Sequence, residues 1–108
     1  MSHDVPEADW RVFRELREVA LERLCGRALD ELTVQAGDTS LTCHQRYLAV
    51  YRALQERDAQ VAEAFNDPRR SRMIAQLRAI CALGLLEPPE LARFTQQTLE
   101  AAGAPVAR

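Results

Sequence analysis

Asp67-Pro68-Arg69-Arg70-Ser71-Arg72 gathers three guanidinium groups and a hydroxyl into four consecutive positions behind an acid and a proline. Guanidinium forks match phosphate and carboxylate oxygens with paired hydrogen bonds. Asp is a good helix cap and Pro fits the first helical position, so Asp67-Pro68 reads as the start of a third helix. The first N–H groups of a helix are unpaired, and that end of the peptide dipole is positive. Three arginines placed there need a negative group nearby: a carboxylate of this chain, an acidic partner or a phosphate. Arg69 and Arg72 are three apart and neighbour each other, and with Ser71 they form a candidate anion site. Arg70 aligns with Met73, Ile74 and Leu77 and turns toward the protein. Asp58 falls on the apolar face of the second helix, so the spacing predicts a structural Asp58–Arg70 ion pair that fixes how the two helices dock.

Other chemistry has less support. Nucleophilic catalysis needs Ser, Thr or Cys within reach of a base. The only histidines are His3 and His44. Cys43 and His44 are adjacent, and neighbours on a helix point about 100° apart. No C-x-x-C, H-x-x-x-H or E-x-x-H spacing offers a metal site. Glu15, Glu18 and Glu22 share a helix face, but arginines interleave with them, as on a solvated, salt-bridged surface. No glycine-rich phosphate loop is present. The reading is non-enzymatic, with no catalytic residue, no metal and no cofactor.

The elements that would position these residues are helical. The chain of 108 residues suits one domain. Ala, Leu, Arg and Glu dominate, and strand-like alternation is absent. All fourteen basic side chains are arginine, which reads as compositional bias as readily as selection for anion contacts. Net charge is −2. Residues 1–36 hold eight acids against five arginines, a net of −3, and residues 67–84 hold four arginines against one acid, a net of +3. This balance and the lack of a second basic region argue against nucleic acid as partner, including helix-turn-helix binding.

Trp10, Phe13, Leu16, Ala20, Leu24, Ala28 and Leu32 predict a first helix from Pro6-Glu7 or Asp9 to about Ala36. Val12, Val19, Leu21, Cys25 and Leu29 widen its apolar face, enough to touch more than one neighbour. Gly26 inside it predicts close approach of another helix. Gly37 ends it. Thr42 and Gln45 have capping-box spacing for a second helix, with Ser40 as the other possible cap, and Phe65 ends it. Tyr47 and Tyr51 on that helix read as core side chains with hydroxyls at the rim, or as an interface patch. Gly84 ends the third helix. Glu87-Pro88-Pro89-Glu90 opens a short helix through Phe94, and Thr95 caps a last turn or two containing Leu99. Residues 1–7 are read as a loose leader and 103–108 as a frayed tail.

The three cysteines fit no disulfide framework, and Cys25 and Cys81 read as core fillers. No segment reaches membrane-span length and no signal peptide is visible, so the cytoplasm is the expected location. The runs His44–Tyr51, Asp67–Ser71, Leu83–Leu86 and Glu90–Phe94 resemble a group of short bacterial all-helical proteins of unknown function. That resemblance implies a small cytosolic bacterial protein and no site residue. The expected fold is all-α, a small bundle of three main helices and one or two short C-terminal ones. The broad face of the first helix implies a protein-interaction module that forms homodimers or takes another protein partner. The alternative is a binder of acidic or phosphorylated ligands through Arg69, Ser71 and Arg72.

Overall fold

A computed structural model describes residues 5–105. It is all-α, with no strand among the described residues. The helices are α1 (Glu7–Ala36), α2 (Cys43–Phe65), α3 (Met73–Ala82), α4 (Pro88–Leu91) and α5 (Gln96–Ala101). A 3-10 turn, Arg70–Arg72, leads into α3.

Local chemistry explains most boundaries. Thr42 accepts from the Gln45 N–H and Gln45 returns a bond to the Thr42 N–H, a complete capping box. Gly84 adopts φ +65°, a backbone state that suits glycine, just past α3. Pro88 opens α4 behind Glu87 and Thr95 caps α5.

α1 and α2 form an antiparallel hairpin. Arg17 reaches the Phe65 carbonyl at the end of α2, whereas Glu31, late in α1, pairs with Arg57. The molecule measures 52 × 28 × 19 Å, and the 30 residues of α1 account for about 45 Å of that length. Its core occupies one end. Phe13, Leu16, Ala20 and Leu24 of α1 pack with Phe65, Met73, Leu77, Ile80, Leu85, Phe94 and Leu99. The other end is a two-helix arm. Between Cys25 and Arg52 no residue is buried.

Several sequence expectations are corrected here. Val5 and Ala104 lie in the core, so the leader and tail are packed where described; residues 1–4 and 106–108 lie outside the described residues. A Cβ on Gly26 would meet nothing within 4 Å, so no helix of this chain approaches it closely. Cys25 is exposed and not a core filler, while Cys81 is half-buried and its thiol pKa is raised by burial. Tyr47 and Tyr51 are 66% and 51% exposed and are not core. The face of α2 that meets the rest of the chain carries Ala53, Ala64 and Phe65 instead.

Candidate functional site

The arginine-rich corner is built differently from the expected helix start. Asp67 is not a cap: its φ of 50° turns the chain out of α2, and α3 begins at Met73. The Asp67 carboxylate accepts from Arg69 at both oxygens, each contact 3.0 Å, and lies 3.6 Å from Arg72. Arg72 also donates to the carbonyls of Asn66 and Asp67 at 2.9 and 3.1 Å. The chain therefore supplies its own negative group to Arg69 and Arg72. Arg72 thereby serves the negative C-terminal end of α2, while Arg69 pairs with the Asp67 carboxylate. Ser71 is exposed. The expected Asp58–Arg70 pair does not form. Arg70 binds the Glu7 carboxylate at 2.9 Å and the Val5 carbonyl at 3.2 Å, and Asp58 is exposed, with no ion pair among the described residues. The delayed start of α3 turns Arg70 toward the N-terminus of α1, where Glu7 waits.

The same use of arginine recurs through the fold, and sequence reasoning missed it. Arg17 donates to the Phe65 carbonyl at 2.7 Å, and its guanidinium carbon lies 5.8 Å from the Phe65 ring centroid. Gln76, itself buried, donates to the Asn66 carbonyl at 2.7 Å. Arg27 donates to the Leu83 and Gly84 carbonyls just beyond α3. Arg23 reaches the Leu85 carbonyl and grips Glu90 at 2.6 and 3.0 Å. Arg78 binds the Ala101 carbonyl at the end of α5. None of the five helices has a basic residue in its own last turn. The ends of α2, α3 and α5 borrow theirs from elsewhere in the chain. That absence was the available signal.

These contacts are structural. The Arg23–Glu90 contact holds the Glu90 carboxyl below its ordinary pKa, helped by the Glu87 N–H. Asp38 is lowered likewise by its bonds from Ser40 in the turn between α1 and α2. Among the described residues no group of three His, Cys, Asp or Glu side chains is placed to hold a metal. Cys43 receives a contact from Arg46, at 3.4 Å, in place of any bond to His44.

What the body does not consume is the open face of the arm. Cys43, Tyr47, Val50 and Leu54 recur at steps of four, three and four along α2, so they share one side of the helix. With Tyr51 and Ala36 they line a shallow apolar groove of about 440 Å³, rimmed by Arg46. Leu29 and Ala36 are seven apart on α1 and share a face there. Leu29, Tyr47, Tyr51 and Leu54 are each more than half exposed. Single exposed apolar side chains are ordinary; here several adjoin along one face beside two tyrosines.

No protein family, curated protein or solved structure matches this chain. No helix among the described residues is long and apolar enough to cross a membrane.

Proposed function

We propose that this chain is a non-enzymatic interaction module that self-associates through its arm. The observation that carries the reading is the uncovered row of Tyr47, Tyr51 and Leu54 on an arm with no fully buried residue between Cys25 and Arg52. An isolated helix pair holds its shape poorly in water, because each helix needs an apolar face covered. A second arm laid against the first would complete a four-helix bundle.

The charges favour a second copy as the occupant. On the arm, residues 28–38 of the α1 side carry Asp30, Glu31 and Asp38 and no arginine. Residues 39–55 of the α2 side carry Arg46 and Arg52 and no acid. Asp30, Arg46 and Arg52 enter no ion pair among the described residues. A two-fold arrangement that sets each α1 beside the partner's α2 brings these opposite charges together at the rim of an apolar centre.

Substitution at the centre tests it. Tyr51→Glu and Leu54→Glu each place a carboxylate in the row without touching the core. Both should yield a folded monomer by sedimentation velocity at concentrations where the native chain is dimeric. Unchanged sedimentation of both variants would remove the arm face from the interface.

A further inference from the structure

A second cleft lies between the start of α3 and the end of α5. Arg70, Ser71, Ile74, Ala75, Arg78 and Ala101 enclose about 270 Å³. Its walls hold two guanidiniums and a hydroxyl and no carboxylate. We propose that this cleft binds a phosphate group, either free or carried on a larger molecule. The site is independent of the arm.

Donor capacity supports it. Each guanidinium has five N–H donors. Arg70 commits one nitrogen to Glu7 and one to the Val5 carbonyl, and Arg78 commits one to the Ala101 carbonyl. Both side chains are thereby held in place with donors to spare. Arg78 enters no ion pair among the described residues, so its charge is uncompensated. Ile74 and Ala75 belong to the apolar part of the cleft lining. Glu7 shares Arg70 but is absent from the cleft wall and 62% exposed. Guanidinium forks pair with phosphate oxygens through charge-assisted hydrogen bonds, and a hydroxyl adds a neutral donor.

Amide-resolved NMR titration of the full chain at constant ionic strength tests the site, with inorganic phosphate and phosphoserine as separate probes. Saturable shifts confined to residues 70–78 and the neighbourhood of Ala101 are expected with phosphate. Tighter saturation by phosphoserine would assign a phosphorylated ligand, and equal or weaker saturation would assign free phosphate. Arg78→Gln should weaken binding about tenfold, the loss of one charge-assisted contact. Ala75→Glu, at an exposed helical position, should abolish it. Arg69→Gln, outside the cleft, should leave it unchanged. Shifts that rise linearly without saturation, or equal affinity in Ala75→Glu, would overturn the proposal.

Discussion

The Asp9 carboxylate, in the first turn of α1, accepts both the N–H and the hydroxyl of Thr95, at 3.0 and 2.6 Å, across 86 positions of sequence. Thr98 donates its hydroxyl to the same carboxylate. Asp9 is 2% exposed, yet every contact it makes is a donor aimed at it. A carboxylate at the N-terminal end of α5 also meets the positive end of that helix. One side chain so ties the start of the chain to its last helix.

Asp9→Ala strands the Thr95 N–H and two hydroxyls without their acceptor. We expect a loss of about 2–4 kcal/mol in urea unfolding. Asp9→Asn, which keeps one acceptor, should lose less. Hydrogen exchange should quicken first in Gln96–Ala101.

Arg17 and Arg69 each carry one charge, but they differ in what they hold. Arg17→Ala removes a bond to the Phe65 carbonyl and a contact with its ring, and should cost about 1–3 kcal/mol. Arg69→Ala removes an exposed pair with Asp67 and should change stability by less than about 0.5 kcal/mol. Equal effects in chemical denaturation would contradict the distinction.

Gly26 sits inside α1 with open space where a Cβ would go. Gly26→Ala should stabilise the chain by about 0.5–1 kcal/mol, since alanine loses less freedom on becoming helical. Thermal unfolding should shift upward by a few degrees. A decrease would mean that the position is tightly packed after all.

Acid sensitivity should run through Glu90. Its pKa is lowered in the folded chain by Arg23, so its contribution is full above the ordinary carboxylate value of 4.5 and is lost as pH falls through the lowered one. Arg23 is raised by the same contact and stays charged throughout. Glu90→Gln should be less stable than the native chain near neutrality. The gap should narrow as pH falls below the ordinary carboxylate value and the native carboxylate protonates. A gap constant with pH would detach Glu90 from the acid limb.

Local signals in the sequence were legible and distant ones were not. Thr42 with Gln45, Gly84, Pro88 and Thr95 each act within four residues, and each marks its boundary as read. Asp67-Pro68 carries an equally strong local signal, but the left-handed turn at Asp67 overrides it and α3 starts five residues beyond Pro68. Arg17, Arg23 and Arg27 look like a solvated face because their acceptors lie 48 to 67 positions away. Tyr47 and Tyr51 share the helical spacing of core residues. Spacing reports a shared face and is silent on what covers it. On the arm, nothing in this chain does.

The central claim is that two arms pair, and sedimentation equilibrium of the native chain from about 1 to 100 µM tests it most directly. The chain mass is 12.2 kDa. The account predicts a concentration-dependent rise to twice that mass, suppressed by Leu54→Glu. A single species of 12.2 kDa across the whole range would contradict it.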